Sequence, residues 1–152
     1  MRIFFDTEFA DLTEDAALIS IGMVDEAGEE FYAELSATYS PAACSEFCRR
    51  EVLPHLEGGT VQRSLGDLRE VLREWLTAKR EGVVLVCDSS RDVYQFRQLF
   101  PCGLPSNVSC EVLGWWGNVR RRFFNRGRRM HRHLGLRVHH ALDDARINRL
   151  VL

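Results

Sequence analysis

No apolar run in this chain of 152 residues approaches the ~20 residues that a helix needs to cross a bilayer, so no membrane span is expected. The cysteines are poorly arranged for bonding. Cys44, Cys48, Cys87, Cys102 and Cys110 are odd in number and include no Cys-x-x-Cys pair, which argues against a disulfide framework and against a thiolate zinc site. A charged leader followed by an apolar stretch is also missing. The N-terminus runs straight into strand-like sequence with an acid at Asp6, so the chain is expected to be cytoplasmic. Low-complexity linkers and internal repeats are absent, and 152 residues with 45% apolar and 28% charged content suit one soluble domain spanning residues 1–152.

Lysine is nearly absent as well: Lys79 is the single lysine among 20 basic residues, and the rest are arginine. Their distribution matters more than the net charge of −2. Between Asn118 and Val138 stand Arg120, Arg121, Arg122, Arg126, Arg128, Arg129, Arg132 and Arg137 with no acid, while the remainder carries 12 basic against 22 acidic residues. A positive strip on an acidic body suits a polyanionic partner. Arginine's planar fork grips phosphate in a bidentate way, and Phe123, Phe124 and His131 are interleaved where they would stack on bases. Arg120, Arg121 and Arg128 are the candidate substrate-binding arginines.

Strand and helix signals alternate along the chain. Arg2 to Glu8, Ala17 to Asp25 and Glu29 to Leu35 are rich in apolar and β-branched residues, with Glu26-Ala27-Gly28 as a turn between the last two, which predicts a three-strand antiparallel meander. A short helical segment is expected over Ala42 to Val52. Thr60 is placed to cap an amphipathic helix whose stripe is Val61, Leu65, Leu68, Val71, Leu72, Trp75 and Leu76. Val83 to Cys87 reads as a central strand buried on both faces and parallel to the first. Asp88-Ser89-Ser90 then caps a helix from Arg91 to Phe100, Val108 to Leu113 is a further strand, and Trp116 to His133 is helix interrupted near Gly127. The pattern predicts an α/β fold with a central mixed five-stranded sheet flanked by helices.

Two short motifs carry the chemistry. In Asp6-Thr7-Glu8, alternate side chains of a strand share a face, so Asp6 and Glu8 project together while Thr7 points away. Two carboxylates so placed repel unless hard cations sit between them. Near the other end, His139-His140-Ala141-Leu142-Asp143-Asp144 opens a helical pattern with His139 five positions before Asp144. Asp92 falls in the first turn of the helix after the central strand, where open α/β sheets place ligands.

Asp6, Glu8, Asp92, His139 and Asp144 together resemble the signature of the DEDDh branch of the DnaQ-like 3′-5′ exonucleases, in order and spacing over essentially the whole chain. The His-x-Ala-Leu-x-Asp-Ala string is similar to that of oligoribonucleases, and the chain's size to that of small bacterial exoribonucleases. The resemblance implies a ribonuclease H-like fold, RNA or short oligonucleotides as substrate, and release of 5′-monophosphates from a 3′ end. It further implies that Thr7 and Phe9 contact the terminal nucleotide, with a plain core aromatic as the alternative for Phe9. Many family members carry Asn where Asp88 stands here, so Asp88 remains an alternative to Asp92 as the second-motif ligand.

Residue chemistry leads the same way. Attack on an anionic phosphodiester needs positive charge at the attacking and leaving oxygens, which two Mg²⁺ or Mn²⁺ ions roughly 4 Å apart supply. Asp6, Glu8, Asp92 and Asp144 would hold them, with Asp6 bridging, and His139 would take the proton of the attacking water. His140 is the alternative base, and Asp143 is read as a helix-terminal carboxylate. The rival functions are a DNA exonuclease of the same family, a ribonuclease H-like endonuclease, a small-molecule metal phosphatase, and a noncatalytic nucleic-acid-binding module. Family habit and the Trp115-Trp116 pair make a homodimer an expectation.

Overall fold

The computed structural model describes residues 1–13, 15–79, 82–113 and 117–152, with side chains given outside 114–124. β1 (Arg2–Phe9) alternates Ile3, Phe5 and Thr7 toward one face with Phe4, Asp6 and Glu8 toward the other. β2 (Leu18–Asp25) and β3 (Glu30–Leu35) complete an antiparallel meander with it. The chain then passes a short strand β4 (Gln62–Arg63), helix α1 (Leu65–Thr77), strand β5 (Val83–Cys87), helix α2 (Ser90–Gln98), strand β6 (Val108–Val112) and helices α3 (Gly117–Leu134) and α4 (Ala141–Val151). The sheet order is β4-β3-β2-β1-β5-β6, with β5 parallel to β1 as expected. β1 is therefore central, and its carboxyl end lies beside that of β5.

The main core fills the face covered by α1 and α2. Leu68, Leu72 and Leu76 of α1 and Phe96 of α2 are fully buried against Ile3, Phe5, Ile21, Met23 and Leu85. Truncating one such leucine to alanine costs about 3 kcal/mol. α4 covers the other face, and its approach depends on Gly22, which pairs with Asp6 across β1 and β2. A Cβ on Gly22 would lie 2.2 Å from the backbone nitrogen of Leu142. Only glycine lets the first turn of α4 press onto the sheet beside Asp6.

Four expectations are corrected. The sheet has six strands, not five, because Gln62–Arg63 pairs parallel with Glu34–Leu35. Gly58 and Gly59, at φ +66° and +63°, turn the chain toward that edge, so Thr60 and Val61 are used in a 3₁₀ turn. Ser64 caps α1 in place of Thr60: its hydroxyl accepts from Asp67 N at 3.1 Å and donates to Asp67 Oδ2 at 2.8 Å. The helix expected over Ala42 to Val52 is instead a 3₁₀ turn at Pro41–Ala43 and a wide π turn at Cys48–Val52, which ends where Pro54 lacks an N–H. α3 runs through Gly127 without a break. A Cβ there would lie 3.3 Å from Ile147 Cγ2, so the glycine serves the contact between α3 and α4.

Among the described residues no helix is long and apolar enough to cross a membrane. Trp115 and Trp116, and the side chains of Arg120, Arg121, Arg122, Phe123 and Phe124, lie outside what is described.

Candidate active site

The carboxyl ends of β1 and β5 and the N-terminus of α4 open into one cavity of about 910 Å³, whose lining includes Asp6, Glu8, Asp88, Asp92, His139 and Asp144. Their ligand atoms fall into two groups. Glu8, His139 and Asp144 form one and Asp6, Asp88 and Asp92 the other, each with its donor atoms within 4.8 Å of one another. The structure thus brings together the five residues that the sequence singles out, and adds Asp88 beside Asp92 rather than choosing between them.

The strand alternation explains how these side chains meet. Asp6 and Glu8 face α4, while Thr7 faces α2, where its backbone N–H and its hydroxyl both donate to Asp92 Oδ1, at 3.2 and 2.7 Å. Thr7 therefore holds a carboxylate that arrives from α2. Ser89 caps α2 by accepting from Arg91 N at 3.2 Å, which sets Asp92 in the first helical turn. Asp144 is gripped at both oxygens: Oδ1 lies 2.7 Å from His131 Nε2, and Oδ2 accepts from His139 N at 2.9 Å. His139 sits at φ +61°, a conformation that non-glycine residues rarely adopt, and its ring meets the edge of Phe47 at 4.9 Å.

The electrostatics are unfavourable for the protein alone. Burial pushes the Asp6 carboxyl well above its ordinary range, and Asp92, Asp144, Glu8 and Asp88 push it further. Glu8 is raised by burial and by Asp144 and Asp92. Asp92 is pushed up to about 7 by burial, against the pull of the Thr7 hydroxyl and with the help of Asp88. Such a cluster of oxygen donors with one imidazole fits hard divalent cations, whose charge offsets the mutual repulsion.

No family model matches the chain. Two Mycobacterium tuberculosis proteins named 3′-5′ exoribonuclease, from strains CDC 1551 / Oshkosh and ATCC 25618 / H37Rv, are 41% identical to it over 78 residues. Those residues are 50% of this chain and 46% of each relative, so the match spans about half the length of the curated relatives. Two solved structures of exonuclease I share the fold. One, described as suggesting how processivity is achieved, aligns over 98% of this chain and 39% of its own at TM-score 0.64 and 13% identity. The other, an apo form, aligns over 99% and 40% at TM-score 0.63 and 12% identity. Half of the chain is thus similar to proteins named 3′-5′ exoribonuclease, and nearly all of it shares the fold of exonuclease I. Its six-stranded mixed sheet between helices is the ribonuclease H-like fold.

Several residues play parts that the sequence did not announce. His131, expected to stack on bases, is 4% exposed and bound to Asp144. Arg137, expected in the free positive strip, is bonded to Asp143 Oδ2 through Nε at 2.7 Å and to Glu57 Oε1 at 3.0 Å. Asp143 is further held by Arg146 at 2.6 Å; although burial raises its carboxyl, Arg137 outweighs this and keeps it below the usual range. His140 caps α4 and is fully buried under Tyr32, ring centroids 4.6 Å apart. Burial and Arg137 lower its pKa, and it does not line the cavity. Arg128, Phe9 and Phe47 do line it.

Proposed function

We propose that this chain is a metal-dependent 3′-5′ exoribonuclease that removes 5′-monophosphates from single-stranded RNA or short oligonucleotides. The observation that carries the reading is the convergence of five carboxylates and His139 in one cavity. At about 910 Å³ it stands at the upper end of small-ligand pockets, enough for a terminal nucleotide and part of its neighbour. The relatives' printed name and the excess of arginine on α3 support RNA as the polyanion.

Asp6, Glu8, Asp92 and Asp144, with Asp88 adjoining, are the residues that would hold two Mg²⁺ or Mn²⁺ ions. Those ions supply the positive charge needed at the attacking and leaving oxygens of a phosphodiester. His139, on the N-terminal side of α4, accepts the proton of the attacking water at an imidazole nitrogen. Its edge contact with Phe47 and the hold of Asp144 on its backbone limit where the ring can go. Thr7 keeps Asp92 aimed at Asp6. Phe9 offers an apolar surface to the terminal nucleotide, while Arg128 meets the phosphates that follow.

The test is digestion of 5′-labelled single-stranded RNA and the matching DNA with Mn²⁺, Mg²⁺ or EDTA, beside Asp6→Ala. A metal-dependent ladder that shortens one nucleotide at a time on RNA, absent from the variant, is the expected result. Preference for the DNA strand would replace RNA by DNA as the substrate. Intact strands that still bind the protein would leave a noncatalytic binding module.

A further inference from the structure

His131 lies in α3, four residues after Gly127, so both fall on the helix face that packs against α4. Its Nε2 is 2.7 Å from Asp144 Oδ1, and its Nδ1 has no partner among the described residues. The other oxygen of Asp144 accepts from the backbone N–H of His139, the residue in the left-handed conformation. A carboxylate gripped on both sides cannot rotate freely, so the orientation of Asp144 and the backbone of His139 are set together.

We propose that His131 is a positioning residue of the site, donating its Nε2–H to Asp144 Oδ1 so that Asp144 both faces the cation position shared with Glu8 and anchors His139. This rests on the exonuclease reading above. An imidazole suits the task because it offers a directed hydrogen bond on a stiff ring. An arginine in its place would compete with a divalent cation for the carboxylate. The same bond ties α3, which carries the arginines, to the carboxylate cluster, and the contact of Gly127 with Ile147 holds the two helices at that spacing.

The experiment compares wild type, His131→Ala and His131→Gln by Mn²⁺ binding, read as free Mn²⁺ in electron paramagnetic resonance, and by kcat and KM on a short RNA. His131→Ala should bind Mn²⁺ at least about 10-fold more weakly, in the range seen when partners of metal ligands are removed. Its kcat should fall by a similar factor with KM little changed. Glutamine, whose amide can still donate to Oδ1, should recover much of both. Wild-type affinity and kcat in His131→Ala would overturn the proposal. If the alanine variant does not fold, ¹⁵N spectra of the wild-type ring decide. The Nε2–H tautomer, perturbed in Asp144→Asn, supports the role, and the Nδ1–H tautomer overturns it. A His131→Ala deficit in Mn²⁺ binding on a wild-type protein that cleaves no nucleic acid would support the positioning role while refuting the nuclease reading. No saturable Mn²⁺ binding by wild type would overturn both.

Discussion

In the absence of metal, replacing Asp92 by asparagine should stabilise this protein. Burial and its carboxylate neighbours raise Asp92 to about 7, against ~3.9 for a free aspartate, which amounts to roughly 4 kcal/mol against the ionised folded state. Asparagine removes that charge, and its Oδ1 can still accept both hydrogen bonds from Thr7, now at 3.2 and 2.7 Å. Part of the burden is shared with Asp6, so the relief should be about 2–4 kcal/mol, or roughly 5–10 °C in Tm for a domain of this size. The sign follows from linkage. A group whose folded pKa is raised favours the folded state while protonated, and that advantage is lost as pH rises from about 4 to the folded value near 7. Asp92→Asn should therefore match wild type near pH 4 and exceed it most at pH 8. Urea denaturation in EDTA at pH 4.5, 6 and 8 measures the gap. A variant that is less stable than wild type at pH 8, or a gap that does not vary with pH, would refute the reasoning.

The converse holds for the cation: because Asp6, Glu8 and Asp92 must lose protons to bind it, the rise in Tm on adding Mn²⁺ should grow from pH 6 to pH 8, and a shift that is constant or shrinks would count against these ligands. Gly22→Ala should cost about 3 kcal/mol or more in urea denaturation, because its Cβ meets the Leu142 backbone at 2.2 Å, and it should weaken Mn²⁺ binding by displacing the first turn of α4. Lys79→Met should cost about 3 kcal/mol at pH 7, since Lys79 Nζ lies 3.0 Å from the buried Asp25 and 2.7 Å from Glu29. Burial raises the Asp25 carboxyl, but Lys79 and the Glu29 N–H outweigh this and hold it below the usual range. That contribution is present above pH ~4 and should disappear as denaturation is measured at lower pH through the folded value.

The local periodicities of the chain were readable where side chains alternate along a strand or recur on one face of a helix. Alternation in Ile3 to Glu8 set two carboxylates on a common face, and the Leu68, Leu72 and Leu76 stripe marked α1 as core. The five-residue step from His139 to Asp144 matched the family pattern, and those two residues do meet, through the His139 N–H and Asp144 Oδ2. Element ends were less legible: Ser64 rather than Thr60 caps α1 because residues 62 and 63 are drawn into the sheet edge, a contact with β3 that no local signal carries.

The sequence by itself determined the meander, the parallel return through β5, and a shortlist of acids and one histidine, since period, capping and charge spacing are properties of neighbouring residues. Only the tertiary structure decided that Asp88 joins Asp92, that Thr7 serves Asp92, that Arg137 is bound to Asp143 and Glu57, and that His131 grips Asp144. Each of these rests on contact between segments brought together by packing. The direction in which a buried side chain finds its partner follows from where α2, α3 and α4 settle on the sheet, as Gly22 and Gly127 permit.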